Sequence, residues 1–123
     1  MAEPNLVAVV DDDVSVRDSL PELLRSFGFR AQGYASAEAF LRSEGPGQAG
    51  CLVLDVAMPV MSGPDLHQEL RRRGRHIPVV FVTAHGSAEF DLAKLRNDAV
   101  AFLGKPFTEA AILDAVRAAF AQG

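Results

Sequence analysis

Short apolar runs alternate along the chain with segments whose apolar residues recur every three to four positions. The runs are typical of strands buried on both faces, and the periodic segments are typical of amphipathic helices. The pattern predicts five strands, at Leu6–Val10, Arg30–Tyr34, Cys51–Asp55, Pro78–Val82 and Val100–Leu103. It predicts five helices, at Val14–Phe27, Ala37–Ser43, Pro64–Arg73, Ser87–Asn97 and Thr108–Ala121.

This alternation indicates an α/β fold. The second, third and fourth strands are separated by connections long enough for crossover helices, so we expect a parallel sheet with helices on both faces. The first helix should bury one face, formed by Leu20, Leu23, Leu24 and Phe27. The last helix should bury a similar face, formed by Ala111, Ile112, Ala115, Val116, Ala119 and Phe120.

Glycine and proline mark the predicted ends of these elements. Gly28 should end the first helix and Gly74 the third, while Pro64 should occupy the first position of the third. The tripeptide Gly45-Pro46-Gly47 predicts a loop before the third strand. Pro21 falls inside the first helix, where it removes a hydrogen bond and should bend the axis.

Length and composition favour one soluble domain, spanning residues 1–123. The net charge is -4 with both signs interspersed, which gives no support for nucleic-acid binding by this segment. The sequence has neither a run long enough to span a membrane nor a signal peptide, and we take a cytoplasmic location as the default. The single cysteine, Cys51, lies in an apolar run and is interpreted as a core residue.

Polar residues follow the predicted strands at their carboxyl ends. Asp11, Asp12 and Asp13 follow the first strand, and Asp55 ends the third. Thr83 follows the fourth strand, and Lys105-Pro106 follows the fifth. In open parallel sheets the functional crevice lies beyond these ends, so these side chains should meet at one rim.

Carboxylates brought this close repel one another, which favours a divalent cation such as Mg2+ as their partner. A turn or helix-capping role is the alternative for the acidic run, and for Asp13 we favour that role. An acid cluster with a hydroxyl and an ammonium has the composition needed for phosphoryl transfer to a carboxylate.

These residues also carry a resemblance to a known family. The segments VVDDD (9–13), DVAMPVMSG (55–63), VTAHG (82–86) and KPF (105–107) resemble the receiver domain of two-component response regulators, and most of all its FixJ-like branch. The resemblance covers essentially the whole chain. It implies a doubly wound, flavodoxin-like (βα)5 fold with five parallel strands in the order 2-1-3-4-5.

The resemblance also implies a role for each site residue. Asp55 would be the phosphoacceptor, and Thr83 and Lys105 would bind phosphoryl oxygens. Asp12 would bind Mg2+ directly, Asp11 mainly through water, and Ala57 through its backbone carbonyl. A cis Lys105-Pro106 bond would direct the ammonium into the site.

The implied function is a signalling switch rather than an enzyme. A sensor histidine kinase, or a small donor such as acetyl phosphate, would supply the phosphoryl group, and self-phosphorylation and autodephosphorylation would be the only catalytic activities. Thr83 would then move inward and Phe102 would turn into the space beneath it, although a plain core role for Phe102 fits the sequence equally well. The predicted fourth helix, fifth strand and fifth helix would form the output surface and a possible homodimer contact.

Several residues on that surface depart from the family pattern, so its partner and mode of pairing stay open. Charged Asp91 and Lys94 replace small residues, Asp98 replaces a glycine, and Gly104 replaces an acidic residue. Of the three histidines, His67 and His76 are interpreted as exposed. His85 lies at a position that modulates phosphoryl lifetime in the family, and we favour no direct catalytic role for it.

Three questions of function remain open at this stage. The chain is either a stand-alone receiver or the receiver portion of a longer FixJ-like transcription regulator, whose DNA binding would belong to the other part. A Mg2+-dependent phosphohydrolase would use similar residues, but the haloacid-dehalogenase type has its nucleophile after the first strand. A receiver-like interaction module that works without phosphorylation is the other alternative.

Overall fold

The computed structural model describes residues 4–84 and 92–122, and its elements follow the predicted alternation. The strands are β1 (Leu6–Val10), β2 (Arg30–Tyr34), β3 (Ala49–Asp55), β4 (Val79–Thr83) and β5 (Ala101–Gly104). The helices of the described residues are α1 (Val14–Ser26), α2 (Ala37–Arg42), α3 (Gly45–Gln48), α4 (Gly63–Arg72), α5 (Leu92–Asp98) and α6 (Glu109–Gln122).

All five strands belong to one parallel sheet, in the order β2-β1-β3-β4-β5. This is the topology that the sequence predicts. Strands β1 and β4 are buried along their whole length, because helices cover both faces of the sheet. The strand order reverses at β1 and β3, so their carboxyl ends flank the crevice in which such sheets place their sites.

The apolar core forms two layers, one on each face of the sheet. Phe40, Leu54, Leu66 and Phe81 are representative of the layer beneath α2, α4 and α5. Val9, Leu24, Val53 and Ile112 are representative of the layer beneath α1 and α6. Cys51 belongs to the second layer and is buried, as predicted, and its burial raises the thiol pKa to about 12.

Most predicted bounds differ from the structure by one or two residues, and two of the predictions are wrong in a way that changes the local structure. Residues 45–48 form the short helix α3 instead of a loop, with Pro46 in its first turn. Helix α1 ends at Ser26, so Phe27 follows the helix and is 49% exposed instead of joining its buried face. The extra helix shifts the numbering: the predicted fourth and fifth helices correspond to α5 and α6. Residues 87–91 of the predicted fourth helix lie outside the described residues.

The helix ends show why several boundaries were predictable to within a residue. Asp13 is the N-cap of α1 and accepts a hydrogen bond from the Ser15 amide at 2.9 Å, which confirms its capping role. Gly28 and Gly74 have φ values of 93° and 81°, which other residues rarely adopt. Helix α4 begins at Gly63, which places Pro64 one residue later than predicted.

Candidate functional site

Asp11 and Asp55 lie side by side at the carboxyl ends of neighbouring strands. Val10 pairs with Leu54 in the β1–β3 register, so the residue that follows each strand position emerges at the same edge. Both carboxylates are largely withdrawn from solvent, with Asp11 1% and Asp55 5% exposed. Asp12 is exposed at the rim, and one oxygen from each of the three carboxylates lies within 4.8 Å of the others.

Backbone contacts hold the two buried carboxylates in place. The Asp11 amide donates to the Tyr34 carbonyl at 3.1 Å, and Asp11 Oδ1 accepts from the Asp13 amide at 2.9 Å. Beyond β3, the Gly63 amide donates to the Val56 carbonyl at 3.1 Å. A Cβ at Gly63 would overlap the Asp55 carbonyl, so the loop can return this close only because residue 63 is glycine.

The Lys105 ammonium bridges the two buried carboxylates. Its Nζ lies 2.8 Å from Asp11 Oδ2 and 3.7 Å from Asp55 Oδ2. The Lys105 amide donates to the Thr83 carbonyl at 2.7 Å, which ties the end of β5 to the end of β4. The peptide bond between Lys105 and Pro106 is cis, as predicted.

Thr83 and Ala57 occupy the rim around these charges. Thr83 ends β4 and is largely buried, and its Oγ1 donates to the Ala84 carbonyl at 2.9 Å. Ala57 lies two residues beyond Asp55 in the loop that precedes α4, at an exposed position. The structure therefore brings the Asp11, Asp12 and Asp55 carboxylates together, sets Lys105 against Asp11 and Asp55, and places Thr83 on the strand next to β3.

The electrostatics of the cluster favour an added cation. Burial and the neighbouring Asp11 carboxylate raise the pKa of the Asp55 carboxyl to about 7, even though the Lys105 ammonium acts to lower it. Burial alone would lower the pKa of Lys105, but the Asp11 and Asp55 carboxylates raise it overall. Three carboxylates lie together with one ammonium that contacts two of them, and carboxylate oxygens are the ligand type that Mg2+ prefers. The residues present therefore fit a Mg2+ site.

Comparison with known families identifies the kind of domain that carries this site. The family model of the response regulator receiver domain matches residues 7–117. The chain belongs to this family. Phosphorylation-dependent signalling is the general function of receiver domains, which bind Mg2+ at an acidic pocket and interact with histidine kinases.

Named relatives agree with this membership. The receiver is 45% identical over 114 residues to nodulation protein W of Bradyrhizobium diazoefficiens, which covers 93% of this chain and 50% of the relative. It is 45% identical over 118 residues to the transcriptional regulatory protein FixJ of Azorhizobium caulinodans, which covers 96% of this chain and 56% of the relative. The chain spans about half the length of the curated relatives it matches.

Solved structures show the same fold. The receiver superposes on the response regulator StyR with a TM-score of 0.87 and 44% identity, covering 98% of this chain and 61% of that chain. It superposes on FixJ-N with a TM-score of 0.85 and 35% identity, covering 99% of this chain and 98% of that chain. No helix within residues 4–84 and 92–122 of the receiver is long and apolar enough to cross a membrane.

Phe102 lies on the face of the sheet that carries α4 and α5. Its ring is half-buried, 6.5 Å from the Phe81 ring between centroids, and the Arg96 guanidinium carbon lies 5.3 Å from its centroid. Two other positions with predicted effects, His85 and Asp91, lie outside the described residues. Sequence reasoning did not single out Arg96, because an arginine in an exposed helix carries no local signal of a ring contact.

The prediction for His67 is wrong. His67 is 8% exposed and packs edge-on against Phe81, with 5.9 Å between ring centroids. A signal for this was present, since Gly63, Leu66, His67 and Leu70 have the i, i+3, i+4, i+7 spacing of one helix face, and all four are buried. His76 is exposed, as predicted.

Proposed function

We propose that this receiver is a phosphorylation switch in which Asp55 accepts the phosphoryl group. The observation that supports this most is the cluster of three carboxylates, two of them in contact with the Lys105 ammonium, at the carboxyl ends of β1, β3 and β5. Asp55 ends β3, the central strand of the sheet, while Thr83 ends the adjacent strand β4 and Lys105 follows β5. The proposed Mg2+ ligands are the Asp11, Asp12 and Asp55 carboxylates and the Ala57 carbonyl.

The proposed transfer uses each of these side chains differently. Bound Mg2+ would neutralise the acid cluster and the phosphoryl oxygens. An Asp55 oxygen attacks phosphorus in line, the new O–P bond forms, and the N–P bond of a kinase phosphohistidine breaks with its electron pair leaving on the imidazole. Lys105 leaves Asp11 to bind one phosphoryl oxygen, and the Thr83 hydroxyl donates to another.

The same site would accept small donors and would lose its phosphoryl group to water. With acetyl phosphate, the bond that breaks joins phosphorus to the bridging oxygen, and acetate leaves. Hydrolysis of the aspartyl phosphate returns the carboxylate. The receiver family is a phosphoacceptor switch and not a classical enzyme, and self-phosphorylation and autodephosphorylation are the reactions we propose for this member.

The proposed output is a change in the surface formed by α5, β5 and α6. Phosphorylation draws Thr83 toward the phosphoryl group and lets Phe102 turn inward, which shifts an existing equilibrium between two conformations. This surface then contacts an output domain or a second copy of the chain. We further propose that residues 1–123 form one receiver domain, act in the cytoplasm, and do not themselves bind nucleic acid.

Mass spectrometry after incubation with Mg2+ and acetyl phosphate tests the phosphoacceptor assignment. We expect a single phosphate adduct that is absent from Asp55→Asn. Asp13→Asn is the matched control, because Asp13 caps α1 and lies outside the acid cluster; it should still form the adduct. No adduct from acetyl phosphate or from a histidine kinase would contradict the proposal and favour a phosphorylation-independent module. Sustained turnover of unrelated phosphate esters would favour a phosphohydrolase.

A further inference from the structure

The Phe102 ring lies between two side chains of different character. On the inner side is Phe81, which is fully buried and forms part of the core layer beneath α4 and α5. On the outer side is the exposed guanidinium of Arg96, whose Cζ lies 5.3 Å from the ring centroid. This distance is within the range in which a guanidinium is attracted to the face of an aromatic ring.

The strand register shows where the ring can go. Phe81 pairs with Phe102, and Thr83 pairs with Gly104, in the parallel β4–β5 ladder. Because side chains alternate between faces with period two, these four residues share one face of the sheet. A ring that moves from position 102 toward the phosphoacceptor site therefore moves past Gly104 and toward Thr83.

Among the residues that the structure describes, none blocks this path at Gly104. Apart from its chain neighbours, no described heavy atom lies within 4 Å of a Cβ built at Gly104. A ring that moves along the strand toward Thr83 meets no side chain from position 104. The same movement takes the ring away from Arg96, because Arg96 lies in the last turn of α5, which two residues join to the amino end of β5.

We propose that Arg96 is a positioning residue that holds the Phe102 ring in its outward position by a cation–π contact and thereby favours the unphosphorylated conformation. The inference rests on the proposed role of Phe102 as a switch. An exposed contact of this kind contributes about 0.5–1 kcal/mol, which corresponds to about a two- to fivefold change in a conformational equilibrium. The Arg96 contact thus favours the outward position of the ring only modestly, and phosphorylation can overcome it.

The consequence is a linkage between Arg96 and the phosphoacceptor site. For a ligand that binds only the inward state, the apparent affinity is the intrinsic affinity multiplied by the fraction of molecules in that state. Removing the outward contact raises that fraction, so Arg96→Gln should raise the affinity for a phosphoryl mimic without any change at the site itself. Arg96→Lys keeps the positive charge and should retain most of the bias.

Beryllofluoride with Mg2+ serves as the phosphoryl mimic, and ring-13C phenylalanine reports the ring position, with the Phe102 signal assigned by its loss in Phe102→Leu. In Arg96→Gln without mimic, we expect the Phe102 signal to move toward its beryllofluoride-bound position. The apparent beryllofluoride affinity should rise about two- to fivefold. Arg42→Gln is the matched control, an exposed arginine on α2, and should change neither quantity.

The same substitution in a Phe102→Leu background separates a ring contact from a general charge effect. If the inference holds, Arg96→Gln has no further effect on beryllofluoride affinity there. An unchanged signal and affinity in Arg96→Gln, or an affinity change that persists without the ring, overturns the role of Arg96. If beryllofluoride binds the unmodified protein without moving the Phe102 signal, the proposed switch role of Phe102 fails as well.

Discussion

The Lys105 ammonium lies closer to Asp11 than to Asp55, at 2.8 Å against 3.7 Å. The lysine that we expect to bind a phosphoryl oxygen is therefore paired first with a carboxylate of the proposed metal site. A cation that enters the cluster must share Asp11 with this ammonium or displace it. The Lys105–Asp11 pair should therefore lower the affinity for Mg2+ while keeping the cluster intact without metal.

Replacing Lys105 with methionine should raise Mg2+ affinity about tenfold and slow phosphorylation. An ammonium about 4 Å away repels each unit of the Mg2+ charge by about 4 kcal/mol at an effective dielectric constant of about 20, and relaxation of the flexible lysine removes most of this. Isothermal titration calorimetry measures the affinity. The matched control is Lys94→Met, since Lys94 is the only other lysine in the sequence. An unchanged or weaker affinity in Lys105→Met would contradict this account of the pair.

The Asp55 carboxyl should titrate near neutral pH when no metal is bound. Burial and the neighbouring Asp11 carboxylate raise its pKa from 3.8 to about 7. Carboxyl 13C NMR of the metal-free protein should show this midpoint, and saturating Mg2+ should move it below about pH 5, because a bound cation favours the ionised form. A midpoint near 4 without metal would show that Asp55 is better solvated than its 5% exposure indicates.

The same raised pKa has a consequence for stability. The folded protein binds this proton more tightly than the unfolded chain, so the contribution of Asp55 to folding is fully present below about pH 4 and is lost as the pH rises through about 7. At pH 8 without metal, Asp55→Asn should therefore stabilise the protein by on the order of 1 kcal/mol. Urea unfolding at pH 4 and pH 8 checks this, and a stabilisation that is equal at both pH values would contradict it.

His67 should make the protein less stable in mild acid. Burial lowers the imidazole pKa from 6.5, and the nearby Arg71 guanidinium lowers it further. Since the fold favours the neutral ring, its contribution is fully present above about pH 6.5 and is lost as the pH falls through the lowered folded-state value. The free energy of unfolding, measured with urea from pH 7.5 to pH 5, should fall less in His67→Gln than in the unmodified protein. A loss of stability in His67→Gln as large as in the unmodified protein would contradict this role of the buried ring.

Val60 should be replaceable by glycine with a gain in stability. Its φ of 70° is strained for a β-branched residue, and its side chain is 93% exposed, so it gains little from packing. Val60→Gly should stabilise the protein by about 1 kcal/mol, because relief of the strained backbone outweighs the added freedom of the unfolded chain. Thermal unfolding measures the change. Exposed Val14, in the first turn of α1, is the control position, where a glycine should destabilise.

Gly63 should not tolerate a side chain. A Cβ at this position would overlap the Asp55 carbonyl, and the obstacle is backbone that cannot rotate away. Gly63→Ala should therefore destabilise the protein by about 1–3 kcal/mol and displace the end of β3. Gly47→Ala is the control, since the nearest atom to a Cβ there lies 4.0 Å away, on the Arg75 side chain. Equal unfolding free energies for the two variants would contradict the close approach at Gly63.

The sequence by itself was sufficient for the strands, the sheet class and the members of the acid cluster. Strands such as Leu6–Val10 are buried on both faces, so every residue in them is apolar, and such an unbroken apolar run can be recognised in the sequence. Because parallel strands share a direction, residues that follow them must meet at one edge. Asp11, Asp55 and Lys105 were therefore predictable as neighbours, while the strand order rested on the resemblance to the receiver family.

Other features were decided by the tertiary structure alone. Helix α1 ends at Ser26, so Phe27 does not continue the buried face of the helix and is half-exposed. The burial of His67 follows from the packing of α4 on Phe81, although its helical spacing held a signal. The sequence placed Lys105 near two carboxylates but could not say which one it prefers. Distances of 2.8 Å and 3.7 Å, and the approach of Arg96 to Phe102, arise from side chains packed across separate elements, where local pattern carries no information.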